Sequence, residues 1–214
     1  MTENTKPAVG AGEDVDRRTR ILDAALVLFA DRGYDGTSVA MVAKAADVAK
    51  PLVAYHFGSK DALWQAAVDL VYGRVSQHLA DASAERDALD LHGNQWLRHF
   101  LRSFMFAIRA EPAYTRLNLQ EGGLYGPRLE YLVSKHIKPG ANVLKPLFDV
   151  LKSRGYLPPG PDFSHHTILL GLVERPVAFG PAMERTYGEP TTTDEAIEAH
   201  LDVVMRVLVG RTGR

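Results

Sequence analysis

Between Thr37 and Lys60 the chain sets hydroxyl, basic and aromatic side chains (Thr37, Ser38, Lys50, Tyr55, His56 and Lys60) on a run spaced as two short helices hinged by a three-residue turn. That shape suits duplex DNA, because a helix-turn-helix lays its second helix in the major groove. Other chemistry has less to stand on. There is no GxSxG elbow, no phosphate loop ending in GKS or GKT and no HExxH helix, the marks of hydrolase, nucleotide and metalloprotease sites. The absence of cysteine excludes disulfides, thiolate metal sites and cysteine nucleophiles, and fits a reducing cytosol. His165 and His166 are neighbours on a helix and point about 100° apart, so they cannot clamp one ion. Glu121, Glu130 and Glu174 could serve as acid or base, but a carboxylate on a helix is ordinarily solvated or paired. The chain reads as a binding protein, not an enzyme, with no metal and no cofactor.

The elements that must position these groups are helices throughout. Thr37 and Ser38 are N-cap types, and Val39, Val42, Ala43 and Ala46 then recur at spacings of three and four, one apolar face of a short helix. The turn is Asp47, Val48 and Ala49, with Asp47 in the left-handed conformation that few residues besides Gly tolerate, and Val48 tucked inward. Lys50 to His56 forms the second helix, with Pro51 in its first turn, where a missing amide hydrogen costs little.

Upstream, Ile21, Leu22, Ala25, Leu28 and Phe29 share a face of a helix that Gly33 ends. Ser59 caps a long amphipathic helix running to about Ser83, and Trp96, Leu97, Phe100, Leu101, Phe104, Met105 and Ile108 mark the next. A short helix, Tyr114 to Glu121, precedes the breaker Gly122 to Pro127. Arg128 to Ile137 and Ala141 to Ser153 form one bent helix or two, because Pro139 and Gly140 interrupt the pattern. Phe163 to Tyr187, bent at Pro176, and Glu195 to Val209 complete an all-α chain of about nine helices.

The stretch from about residue 17 to 65 resembles the DNA-binding domain of the TetR family of bacterial transcriptional regulators. The resemblance rests on the first-helix run RTRILDAALVLFADRGYDGTS, on the two motif helices and on the YHFGSKDAL run from Tyr55 to Leu63. Two positions depart from the family pattern. Ala54 stands where an aromatic commonly reaches a DNA phosphate, and Asp47 stands where the turn usually has Gly.

The resemblance implies a disordered arm over residues 1–15, a three-helix DNA-binding domain over 16–62 and a helical effector-binding and dimerisation domain over 63–214. It also implies roles. Thr37, beside Ser38, would hold a phosphate through its hydroxyl and the free amide hydrogens there, and Lys50, Pro51, Leu52, Tyr55 and His56 would face the DNA, with Lys60 on a phosphate. Lys50 would read a base or contact a groove phosphate, since a Lys at the start of an inserted helix reaches guanine acceptors; Pro51 or Leu52 would touch a thymine methyl. Phe57, Val48 and Val53 belong to the core, and His56 suits the first helix as well as it suits DNA. Among the middle helices, Trp96, Phe100, Phe104 and Met105 would wall an effector pocket, with Arg116, Asn118, Glu121 and Tyr131 as polar anchors. The last two helices would pair with a second copy through Ile168, Leu169, Leu172, Val173 and Val177 with Ile197, Leu201, Val204 and Leu208; in the alternative, these side chains complete the chain's own core.

Charge agrees with this division. The net charge is −1, but residues 16–60 hold seven basic against five acidic side chains, while residues 1–15 carry −2 and the remainder −1. A mildly basic head suits a repressor that makes few phosphate contacts per subunit and gains by binding as a dimer. No apolar stretch approaches the roughly 18 residues a membrane span requires, and no basic start precedes an apolar run, so a soluble cytoplasmic protein is expected. The resulting expectation is a dimeric repressor on a palindromic operator, released by a small-molecule effector. The alternative is a helical small-molecule-binding protein or enzyme that has lost DNA binding.

Overall fold

The computed structural model describes residues 10–88 and 93–210 and is all-helical over them. The chain divides into two compact units, Met1–Val71 and Tyr72–Arg214.

In the first unit, α1 (Gly10–Arg32), α2 (Val39–Ala45) and α3 (Lys50–Phe57) pack on one another, and α4 (Lys60–Ala88) begins. Helix α1 starts at Gly10, so positions 10–15 of the expected arm are helical, and the rest of that arm lies outside the described residues. Arg17 pairs with Glu13 at 2.9 Å and Arg20 with Asp16 at 3.5 Å, one turn apart on the exposed surface; such pairs each add about 0.3–0.5 kcal/mol to a helix. The helix stops where Gly33 takes a φ of 70° and its amide donates to Phe29 O at 3.0 Å, the usual left-handed glycine stop.

Ser38 caps α2, its Oγ accepting from Met41 N at 3.2 Å. Asp47 then takes a φ of 52°, alone among the described non-glycine residues in being positive, and Val48 N returns to Ala43 O at 3.0 Å. The expected turn is therefore present. Ser59 caps α4 through Ala62 N at 3.1 Å, and α4 continues past the expected stop near Ser83 to Ala88. Ile21, Ala25, Phe29, Val42, Val53, Leu63, Trp64, Ala67, Val68 and Val71 are almost fully buried, and each large one is worth about 1.5–3 kcal/mol. Residues 63–71 thus fall in the first unit, not in the second as the expected boundary at 62 had it.

The second unit holds the rest of α4, then α5 (Gly93–Ala110), α6 (Pro112–Glu121), α7 (Pro127–Leu132), α8 (Lys138–Ser153), α9 (Asp162–Ala178), α10 (Gly180–Tyr187) and α11 (Asp194–Val209). Between α7 and α8 the helix does not break. It passes through a π-helical stretch, Val133–Ile137, which absorbs the missing amide hydrogen and the bulk of Pro139 by widening the preceding turn. The expected helix Phe163–Tyr187 is divided at Phe179 instead of merely bending at Pro176. In an unbroken helix the ring of Pro181 would meet the carbonyl of Val177.

Helix α5 packs against α9 and α11. Its Leu97, Leu101, Phe104, Met105 and Ile108 meet Leu147, Phe148 and Leu151 of α8, Leu169 and Val173 of α9, and Ile197, Leu201, Val204 and Leu208 of α11. This corrects the sequence reading of the last helices. Leu169, Val173, Ile197, Leu201, Val204 and Leu208 complete the chain's own core, so they cannot also face a second copy. The large apolar groups that α9 and α11 leave exposed are Phe163, Ile168, Val203 and Val207. Arg98 further joins α5 to α11 through Glu198 and Asp202, both at 2.7 Å, and Arg102 also reaches Glu198.

Candidate functional site

Helix α3 has two unlike faces. Lys50, Pro51, Ala54 and Tyr55 are exposed, with Tyr55 at 77 %, whereas Val53 is buried and Leu52, His56 and Phe57 are partly covered. Positions 50, 51, 54 and 55 lie on one side of a helix, so a Lys, a Pro and a phenol stand together on an outward surface. Gly58, with a φ of 72°, ends the helix. Lys60 Nζ lies 4.0 Å from the centre of the Tyr34 ring, and the Tyr34 hydroxyl donates to Asp61; the cation is thereby held in place by an aromatic face.

Two expected contact residues have other work. The Thr37 side chain is buried, and its hydroxyl is directed at Leu28 O (3.0 Å) and Gly33 O (2.9 Å), tying the start of α2 to the end of α1. A hydroxyl so committed does not hold a phosphate; the exposed Ser38 is the residue that caps α2. Thr37→Val should accordingly lower the stability of the first unit by about 1–3 kcal/mol, by stranding buried acceptors. Urea unfolding measures this, and the salt dependence of DNA binding should not change. His56 turns inward: its side chain is 5 % exposed and Nε2 sits 3.4 Å from Asp14 of α1. It braces α3 on α1 and does not face outward with Tyr55.

In the second unit the candidate effector residues separate. Met105 is wholly in the core and Phe104 nearly so, while Trp96 and Phe100 stack on each other at 6.1 Å against that core. Glu121 is buried and receives Arg128 Nε on both oxygens, at 3.1 and 2.9 Å; Arg116 lies exposed. Phe104, Asn118 and Tyr131 converge, however, with residues that no local pattern singles out. Tyr72 Oη donates to Asn118 Oδ1 at 2.6 Å, and Asn118 Nδ2 donates to Tyr114 O at 2.9 Å. The Tyr114 ring meets Tyr72 at 4.9 Å and Phe104 at 6.4 Å, and His136 stacks on Tyr72 at 4.3 Å with Tyr131 beyond it at 6.1 Å. Glu174 of α9 acts electrostatically on both Tyr72 and Tyr114. Burial holds both phenols well above their usual range and pushes the Glu174 carboxyl up to about 7. Tyr72, Tyr114, His136 and Glu174 come from separate elements, which is why sequence spacing does not group them.

Residues 21–67 match the family model for bacterial regulatory proteins of the tetR family. That segment of the chain is thus similar to the DNA-binding part of the TetR family. Among TetR-like relatives, the chain is 28% identical over 118 residues to IcaR, the negative transcriptional regulator of the biofilm operon icaADBC in Staphylococcus aureus (strain Newman), an overlap of 51% of this chain and 60% of that protein. A TetR family transcription regulator from Marinobacter aquaeolei VT8 has the same fold, with a TM-score of 0.66, 21% identity and coverage of 92% of this chain and 97% of that one. AibR, solved with isovaleryl coenzyme A and operator DNA, superposes with a TM-score of 0.65 at 20% identity, over 90% of this chain and 97% of its own. The matched family segment contains all of α2 and α3 and most of the buried residues of the first unit.

Proposed function

We propose that this protein is a cytoplasmic transcriptional repressor of the TetR family that binds a palindromic operator as a homodimer and is released by a small-molecule effector. The observation that carries the reading is the outward face of α3, with Lys50, Pro51 and Tyr55 exposed at the end of a tight turn. Lys50 reads guanine acceptors, Pro51 meets a thymine methyl with Leu52 beside it, and Tyr55 and Lys60 contact phosphates, aided by the free amides at Ser38. The named relative IcaR is a negative regulator, and AibR was solved with operator DNA; both support the assignment. Two copies pair through the apolar groups exposed on α9 and α11, and a palindromic operator requires their two α3 helices about 34–36 Å apart, one turn of DNA. The effector binds in the second unit and favours the state whose heads do not match that spacing, drawing the population off DNA.

Titrating wild type and variants against duplex DNA at several salt concentrations tests this. Lys50→Ala should weaken binding to a selected operator by about 1–3 kcal/mol and relax its sequence preference, with a smaller effect on random duplex. Salt-independent binding by the wild type, or an unchanged operator affinity in Lys50→Ala, would remove α3 from the interface.

A further inference from the structure

Pro176 lies inside α9, close to its C-terminal end. A proline has no amide hydrogen, so the Leu172 carbonyl one turn earlier loses its helical partner, and the ring crowds that carbonyl as well. A partly buried carbonyl so orphaned needs another donor. His200 of α11 supplies it, with Nε2 2.7 Å from Leu172 O; because a carbonyl only accepts, the imidazole must carry a hydrogen on Nε2. Pro176 O is met in a similar way. Its i+4 position falls at the start of α10, and it accepts from the Thr191 hydroxyl at 3.0 Å. Gly180 leaves room for that bond, since a Cβ there would come within 3.2 Å of Thr191 Oγ1 and 3.0 Å of Thr192 Cγ2. The helix is thus completed around its proline by side chains of α11 and of the segment leading into it.

The exposed apolar groups of both helices stand within one turn of this clasp. Ile168 precedes Leu172 by four residues on α9, and Val203 follows His200 by three on α11, with Val207 one turn further on. Resting on the dimer reading above, we infer that His200 is a positioning residue for subunit pairing. By holding Leu172 O it sets the spacing of Ile168 from Val203 and Val207, groups through which two copies meet. Apolar contacts between the helices are non-directional and hold no single register. A hydrogen bond aimed at one carbonyl does.

Two measurements on the full chain test this. In 15N NMR at about pH 8, where an imidazole is neutral, His200 should be in the Nε2–H tautomer, its signal assigned by its loss in His200→Gln. Pro176→Ala, whose new amide bonds Leu172 O, should release the ring to a mixture of tautomers. Sedimentation equilibrium reads pairing. His200→Leu should raise the dimer dissociation constant about tenfold or more, and His200→Gln, which keeps an N–H donor, should stay within about threefold of wild type. Pro176→Ala should also weaken pairing while thermal stability holds or rises, because a helical bond is gained; a folding defect alone does not give that split. His200→Leu should add little to Pro176→Ala, since both lose the same bond. An Nδ1–H tautomer in wild type, or additive effects of the two substitutions, would overturn the clasp. Wild-type pairing by His200→Leu would end the positioning role even with the clasp in place. A wild type that is monomeric at micromolar concentration would end the dimer reading and the role built on it, and the tautomer result would still stand for the hydrogen bond.

Discussion

In the proposed dimer, Val203→Asp should leave each chain folded, convert the dimer to monomers and lower operator affinity by about 100-fold or more. Val203 and Val207 stand one turn apart on α11 at 54 % and 55 % exposure, and Ile168 of α9 is 43 % exposed. A polar substitution at an exposed helical position changes monomer stability by roughly ±0.5 kcal/mol. In a two-fold interface the same substitution occurs twice, and each buried, unpaired carboxylate costs several kcal/mol. Val204, adjacent in sequence and fully buried, is the contrast: Val204→Asp should unfold the unit instead of merely separating subunits. Analytical ultracentrifugation with circular dichroism distinguishes these results. A Val203→Asp protein that remains dimeric at micromolar concentration would place the interface elsewhere.

Phe29→Ala should cost the first unit about 3–5 kcal/mol, the range for truncating a fully buried aromatic. Phe29 has no exposure, stacks on Tyr34 at 6.0 Å and lies in a helix whose Ile21 and Ala25 are equally buried. A loss of that size is a large part of the roughly 5–15 kcal/mol that holds a domain folded. The chain has two tryptophans, with Trp64 buried in the first unit, so a Trp96→Phe background makes urea unfolding by fluorescence a report on that unit alone. Operator binding should fail with it, since α3 has no rigid support once α1 loosens. A destabilisation below about 1 kcal/mol would mean that neighbouring side chains close the cavity, contrary to the packing of α1 on α2 and α3.

Helix-turn-helix geometry was legible because local residues dictate it. Ser38 as a cap, Asp47 in a left-handed turn, Pro51 in a first turn and Ser59 as the next cap act within a few residues of their own backbone, so type and spacing sufficed. Helix ends governed by more distant effects were less legible. The π-helical stretch before Pro139 and the break before Pro181 both depend on whether a proline's ring is absorbed or terminates the helix, and packing decides that. Thr37 illustrates the same limit for a side chain: a cap residue by type, it became a buried link because Leu28 of α1 and Gly33 just after it present carbonyls to it.

For this protein, sequence alone determined the all-helical class and the helix-turn-helix with its likeness to the TetR family, since these rest on short-range periodicity and on backbone conformations that only certain residues adopt. Tertiary structure decided which apolar side of α9 and α11 faces inward, that His56 braces α1, and that Tyr72, Tyr114 and His136 meet. The reason is that each amphipathic helix offers a broad apolar arc, and only its neighbours select which part of that arc is covered. Groups from separate helices become one site only when those helices pack.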